Sequence, residues 1–131
     1  MDILNLKTFL KRVDDNNDIL INVDDFCLKT LIAIIFYGRQ QLKLEEKITF
    51  KLTGIKELLE LEDSEYTYYR IENAIFYLTN SYFKCKLPNN CERIFYAIKA
   101  IEKPIDDIYF NKEWKVEIDS FLREHDLTPK I

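Results

Sequence analysis

The spacing of hydrophobic residues along the chain predicts where its first elements lie. Residues 3–12 carry apolar side chains at helical intervals, which predicts a short helix. A short apolar segment over 19–23 favours an edge strand. Residues 26–41 are apolar over more than one face, and Asp24 or Asp25 in front of them is a typical N-cap. This segment is therefore expected to be the central, buried helix.

The middle of the chain predicts a strand and two further helices. Polar and apolar residues alternate over 47–52, which is the pattern of a half-buried strand. The segment 54–61 fits a short helix with Thr53 as its N-cap. Ser64 is expected to cap a longer helix that runs to about Phe83.

The last third of the chain alternates between β-prone segments and turn residues. The β-prone segments are 83–87, 93–101 and 105–110. The turn residues 88–90, Pro-Asn-Asn, lie between the first two of them, which predicts a hairpin. A closing helix is predicted from Lys112 or Val116 to about His125.

The order of these elements is that of a winged helix, a fold of the α+β class. The short helix, the turn and the long helix form a helix-turn-helix, and the β-hairpin that follows forms the wing. The length of 131 residues fits a single winged-helix-like domain, with residues 1–23 as an N-terminal extension and 24–125 as the core. Because 47% of the residues are hydrophobic, the chain has enough apolar material for one core.

The long helix over 64–83 has two rows of residues on opposite faces. The row expected to face the core consists of Ile71, Ile75, Leu78 and Tyr82, with Ala74 beside it. The outward row consists of Tyr66, Arg70, Asn73, Tyr77, Asn80 and Lys84.

The side chains of the outward row suit contact with double-stranded DNA. In a helix-turn-helix, the second helix presents its outer face to the major groove. Arginine binds guanine with two hydrogen bonds and asparagine does the same with adenine, while tyrosine and lysine contact phosphates. Two alternatives stay open, because any surface helix has a polar outer face and tyrosine is also favoured at protein–protein interfaces.

The predicted hairpin adds a basic patch to this face. Lys84, Lys86, Arg93 and also Lys99 flank its turn, where a basic wing would contact the DNA backbone or the minor groove. The formal net charge of the chain is −4, but residues 65–103 contain six basic against four acidic side chains. Such an excess permits DNA binding on one face. The competing interpretation is a solvated hairpin with ordinary surface lysines.

In this pattern and order the chain resembles the winged-helix module of plasmid replication initiators. The similarity covers about residues 26–122, and four segments carry it: FCLKTLIAIIFYGRQ, ITFKLTGIKELLEL, YYRIENAIFYL and IYFNKEWKVEIDSFL. Members of that family contain two such modules, of which the first commonly mediates dimerisation and contacts the DNA backbone. The second module binds repeated origin sequences.

The resemblance implies a DNA-binding homodimer with a role in replication initiation or transcriptional control of plasmid or phage type. This sequence has room for one module only, which weakens the inference of origin recognition and leaves DNA binding and self-association as the transferable properties. The alternative is a winged-helix module for protein–protein interaction or dimerisation that does not read DNA directly.

Catalysis is not expected from this sequence. His125 is the only histidine, so a histidine-based triad or metal cluster has no basis, and no glycine-rich phosphate loop is present. Acidic pairs such as Asp24-Asp25 stand at predicted caps, where aspartate is common anyway. We therefore expect no enzymatic activity, no cofactor, no metal and no small-molecule substrate.

The sequence also favours a cytoplasmic protein without a membrane segment. Residues 1–13 lack the continuous apolar core of a secretory signal, and the longest apolar run, 31–37, is too short to cross a bilayer. The three cysteines, Cys27, Cys85 and Cys91, are expected to be reduced thiols.

Overall fold

The computed structural model describes residues 24–87, 90–106, 110–120 and 122. The helix predicted over 3–12 and the strand predicted over 19–23 lie outside these ranges, as does the end of the predicted closing helix near His125. The described residues form an α+β fold with three helices and antiparallel strands. None of these helices has the length and hydropathy that a membrane span requires.

Helix α1, Asp25–Tyr37, is the central buried helix that the sequence predicts. Its N-cap is Asp24, whose Oδ1 accepts a hydrogen bond from the backbone N–H of Cys27 at 2.8 Å. This hydrogen bond is the main reason why the pKa of Asp24 lies below its usual value. The helix ends four residues before the predicted Gln41, because the chain turns at Gly38 and continues as a 3₁₀ turn, Gln41–Lys43.

Strand β1, Lys47–Lys51, confirms the predicted alternation, with Ile48 and Phe50 buried. Helix α2, Leu52–Leu58, follows it without a connecting loop. The prediction of Thr53 as its N-cap is wrong, because Thr53 lies within the first turn of the helix. Its backbone N–H donates instead to the carbonyl oxygen of Phe110, so a tertiary contact replaces the local cap.

Helix α3, Glu65–Asn80, begins where the sequence predicts. The Oγ atom of Ser64 accepts a hydrogen bond from the N–H of Thr67 at 3.2 Å and caps the helix. The core row is confirmed for Ile71, Ala74, Ile75 and Leu78, all of which are buried. Tyr82 is the exception: the helix ends at Asn80, so Tyr82 belongs to a strand and is half exposed.

The strands after α3 form two separate antiparallel groups. Strands β2, Tyr82–Leu87, and β3, Cys91–Tyr96, pair with each other as the predicted hairpin. Strands β4, Ile98–Glu102, and β5, Glu113–Ile118, join β1 in a three-stranded sheet of order β1-β5-β4. The predicted strand 93–101 is thus two strands, and its second half leaves the hairpin for the other sheet.

Strand β5 corrects the predicted closing helix. Trp114, Val116 and Ile118 point into the core and alternate with more exposed residues, which is the period of a strand. This strand lies in the middle of the sheet, between β1 and β4, and helical backbone begins only after Asp119, at Ser120. In the predicted strand 105–110, the described residues Ile105, Asp106 and Phe110 are not in β-structure.

One hydrophobic core connects these elements. Buried side chains from all three helices, the three-stranded sheet and the inner face of the hairpin belong to a single cluster. The indole of Trp114 lies in this core with the Phe50 ring, at 6.4 Å between ring centroids, and 6.1 Å from the centroid of the exposed Phe76 ring. Because α3 lies on this core along its whole inner face, its opposite face points to solvent.

The two glycines allow a direct test of this packing. A Cβ atom on Gly38 would lie 2.3 Å from Cγ2 of the buried Ile48, so Gly38→Ala should lower the free energy of unfolding by about 1–3 kcal/mol. The matched control is Gly54→Ala in α2, where the nearest atom, 2.9 Å away, belongs to the ring of the exposed Tyr37.

The Tyr37 ring has room to move, and alanine favours a helix over glycine by up to about 1 kcal/mol. Gly54→Ala should therefore leave stability unchanged or raise it slightly, as measured by urea denaturation. Equal losses in both variants would contradict the packing of Gly38 against β1.

Candidate nucleic-acid interface

The outward row of α3 lies on the solvent side of the helix, as its spacing predicts. Tyr66 and Tyr77 are 72% and 51% exposed, and Arg70, Asn73 and Asn80 are exposed between and beyond them. From Tyr66 to Asn80 the helix rises by about 21 Å, and these five side chains lie along that length. The major groove of B-DNA, which is about 12 Å wide, admits an α-helix.

Arg70 is held in place by aromatic rings. Its Cζ atom lies 4.0 Å from the centroid of the Phe26 ring in α1 and 6.0 Å from that of Tyr66. A guanidinium stacked on an aromatic ring keeps its N–H groups available at the edge. The stack therefore restricts the side chain of Arg70, which lies in the exposed row. Nothing in the spacing of the sequence indicates that Phe26 contacts Arg70.

The end of the row is determined by the end of the helix. Nδ2 of Asn80 donates to the backbone carbonyl of Phe76 at 3.3 Å, and Oγ of Ser81 donates to that of Tyr77 at 2.9 Å. These bonds satisfy carbonyl groups of the last turn. Asn80 is thus partly engaged in terminating α3.

Lys84 and Lys86 continue the row on strand β2 rather than on the helix. The Nζ atom of Lys84 lies 5.7 Å from the centroid of the Tyr82 ring, and Ile94 is its partner across the hairpin. Lys86 occupies the strand position opposite Glu92, and its side chain lies outside the described part of the structure. Lys84 is therefore the cation that the hairpin adds next to α3.

Arg93 has a different environment from the one expected of a basic wing. Its Nη2 atom contacts Oδ1 of Asp119 at 2.6 Å and Oγ of Ser120 at 3.2 Å. The Asp119 side chain is buried, so the ion pair ties β3 to the end of β5. The charge of Arg93 is largely balanced by this contact and adds little to the potential of the surface.

A second tie, which the sequence analysis missed, connects α3 to the end of β4. Nζ of Lys103 contacts Oε1 of Glu72 at 2.8 Å and lies 5.6 and 5.5 Å from the ring centroids of Phe76 and Trp114. The ring of Phe110 stacks on Tyr68 on the same side of the helix, with centroids 4.5 Å apart. In the sequence, the four-residue spacing of Glu72 and Phe76 indicates that both lie on the same side of α3.

Two titratable groups of the described residues have strongly raised pKa values. Burial raises the pKa of the Cys27 thiol to about 12, and burial with a hydrogen bond to Asp63 raises that of Tyr68 to about 12. Both groups stay protonated near neutral pH and are poor nucleophiles. Within the same residues, no cluster of three or more His, Cys, Asp or Glu side chains is placed to hold a metal ion.

Comparison with solved structures identifies proteins of similar fold. The crystal structure of selenomethionine derivatives of domains 2 and 3 of RctB matches with a TM-score of 0.56 at 18% sequence identity, over 75% of this chain. A crystal structure of RctB domains 2–3 matches with a TM-score of 0.58 at 16% identity, over 83% of this chain. The chain spans 45% and 47% of the respective RctB chains. At such identities the likeness shows a common fold.

Neither protein-family models nor curated protein sequences give a match to this chain. The similarity to RctB is therefore one of structure, and the candidate interface rests on the geometry of α3 and the hairpin.

The role of Arg93 leads to a prediction about stability. Arg93→Ala removes a charge-assisted hydrogen bond to a buried carboxylate and should lower the free energy of unfolding by about 1.5–3 kcal/mol. Lys84→Ala, on the neighbouring strand, is the control and should change it by less than about 0.5 kcal/mol. Chemical denaturation measures both variants, and a loss for Lys84→Ala as large as that for Arg93→Ala would contradict these assignments.

Proposed function

We propose that this chain is a DNA-binding domain of winged-helix type that acts in replication initiation. RctB, whose domains 2–3 share the fold, is a replication initiator. The observation that carries the DNA-binding part is the exposed row of Tyr66, Arg70, Asn73, Tyr77 and Asn80 along the outer face of α3. These side-chain types are the ones that bind base edges and phosphates in the major groove.

In this proposal α2, the turn after it and α3 form the helix-turn-helix, with α3 as the recognition helix. The strands of the wing are β4 and β5, since they continue the sheet that contains β1, the strand directly before the helix-turn-helix. The hairpin of β2 and β3, which the sequence suggests as the wing, is then an addition between the recognition helix and the wing strands.

In this proposal the side chains of the outward row have different roles. Arg70, held by Phe26, presents a fixed planar set of donors that suits guanine, and Asn73 one turn later suits adenine. Tyr66, Tyr77 and Lys84 flank them and suit the phosphates on either side. Because α1 fixes the guanidinium of Arg70, less side-chain entropy is lost on binding than for a free arginine.

We also propose that the protein works by binding rather than by catalysis. Cys27 and Tyr68, two groups with raised pKa values, are shifted away from reactivity at neutral pH. The cationic side chains that the structure describes near α3 mostly serve aromatic stacking or ion pairs, as in Arg70, Arg93 and Lys103. Side chains that are held in this way suit a surface that is already ordered before it binds its ligand.

Arg70→Ala tests the recognition face. If Arg70 binds a base, this change should weaken binding to a duplex selected from a random pool by about 1–3 kcal/mol, which is roughly 5- to 150-fold in Kd. Arg39→Ala is a closely matched control, because the guanidinium of Arg39 also lies 4.0 Å from a phenylalanine ring, that of Phe36 at the end of α1. Fluorescence anisotropy at fixed salt measures both.

We expect the duplex affinity of the wild type to fall with salt. A plot of the logarithm of the binding constant against that of the salt concentration should have a slope of about −0.9 for each phosphate contacted. Arg39→Ala should change Kd by less than about threefold. Equal losses for Arg39→Ala and Arg70→Ala would indicate a nonspecific charge effect, and no duplex affinity of the wild type at low salt would refute the proposal.

A second candidate function is self-association through the same face. The observation that favours it is the exposure of Tyr66 and Tyr77, since tyrosine is enriched at protein–protein interfaces. If the row is a dimer interface, Tyr77→Asp should convert a dimer to a monomer in sedimentation equilibrium. Leu44→Asp, at an 85% exposed position outside the row, should leave the mass unchanged. A wild-type protein that stays monomeric at high concentration rules this candidate out.

A further inference from the structure

The outer face of the β2–β3 hairpin carries two tyrosines side by side. Tyr82 and Tyr96 are direct partners in the antiparallel register, and each is 50% exposed. Directly opposed residues on one face of such a pair have Cβ atoms about 4.5–5.5 Å apart. The next pair on the same face is Lys84 and Ile94, and Ile94 is also exposed. The hairpin therefore presents an exposed phenol ring on each of two neighbouring strands, with a cation beside that of Tyr82.

The inner face holds this hairpin rigidly against the domain. Phe83 and Phe95, whose side chains point the opposite way, are buried and have ring centroids 5.7 Å apart. The ion pair of Arg93 with the buried Asp119 adds a polar anchor on β3. Because these contacts on the inner face hold both strands, the positions of Tyr82 and Tyr96 do not depend on a ligand.

We propose that this outer face, formed by Tyr82, Lys84, Ile94 and Tyr96, is a stacking platform for the unpaired bases of single-stranded DNA. Aromatic side chains bind successive bases through their π-faces with little dependence on sequence. The ammonium of Lys84, 5.7 Å from the centre of the Tyr82 ring, supplies a partner for the phosphate that accompanies a stacked base. Two exposed rings at opposed strand positions and a cation beside one of them suit this ligand.

The size of the face argues against a second copy of the chain or another protein as the occupant. Two half-exposed tyrosines and one isoleucine offer an apolar patch of a few hundred Å² at most, well below the roughly 800 Å² per partner of a stable interface. Lys84 also lies beside the rings, where an apolar protein interface would leave its charge without a counterion. A nucleotide strand satisfies both the rings and the charge.

The platform lies next to the proposed recognition helix. Tyr82 follows Asn80, the last residue of α3, by two positions, so their Cα atoms are at most about 7 Å apart. A strand that leaves a duplex bound on α3 could pass directly onto the hairpin. This inference rests on the proposed function, because it assumes that the chain acts on DNA. It adds single-stranded DNA as a second ligand, bound by the hairpin and not by α3.

The test compares two DNA probes on the intact chain. Anisotropy is measured with a labelled oligothymidylate, which cannot form a duplex, and with a labelled random duplex. Tyr82→Ala and Tyr96→Ala should each weaken binding of the oligothymidylate roughly 5- to 100-fold while changing duplex binding less than threefold. Tyr82→Phe and Tyr96→Phe, which keep the rings, should bind it nearly as well as the wild type.

Tyr37→Ala is the matched control, because it removes an exposed tyrosine at the end of α1, which belongs neither to the hairpin nor to α3. It should leave binding of the oligothymidylate unchanged. Thermal melting of each variant separates a loss of binding from a loss of folding. If an alanine variant is unstable, Tyr82→Leu or Tyr96→Leu, which keeps apolar bulk without a ring, should lose oligothymidylate affinity in the same way.

The outcomes distinguish this inference from the proposed function. If the wild type binds the duplex but not the oligothymidylate, or if the alanine variants bind the oligothymidylate as well as the wild type, the platform is refuted and the function stands. If the wild type binds neither probe, both are refuted. A change of oligomeric mass in Tyr82→Ala or Tyr96→Ala without a change in oligothymidylate affinity would show a protein interface and overturn the inference.

Discussion

The burial of the inner face of α3 against the core is the constraint on which the rest of the structure depends. Ile71, Ile75 and Leu78 are fully buried beneath the helix, and the central helix α1 and the three-stranded sheet contribute to the same core. Once this face is fixed, the period of the helix places Tyr66, Arg70 and the residues that follow them in solvent. The candidate interface is thus a direct consequence of core packing.

Most of the basic side chains around α3 act as ties between elements. Arg70 stacks on a ring of α1, Arg93 pairs with the carboxylate after β5, and Lys103 bridges α3 and the end of β4. Each contact reduces the mobility or the net charge of a cationic side chain. The surface therefore has less positive potential than its composition implies. In the proposed function, its selectivity rests on preordered side chains.

Local signals in the sequence predict some elements and fail for others, for physical reasons. The cap at Ser64 and the buried row of α3 depend on neighbouring residues and spacing, so both are predictable and both are confirmed. The sequence predicts a helix around Trp114, where the structure has strand β5. The strand is short, and its place between β1 and β4 depends on residues far away in the sequence, so local signals do not reveal it. The contact of Phe26 with Arg70 is equally non-local, and the break after Asn80 moves Tyr82 from the core to the surface.

Titration of the isotopically labelled chain with a duplex pool, followed by amide chemical shifts, tests the central claim most directly. The account predicts that the shifts which change, and which revert on addition of salt, cluster on the outer face of α3 from Tyr66 to Asn80, with Phe26 affected through Arg70. No change on α3 at low salt, or changes confined to the opposite side of the domain, would contradict it.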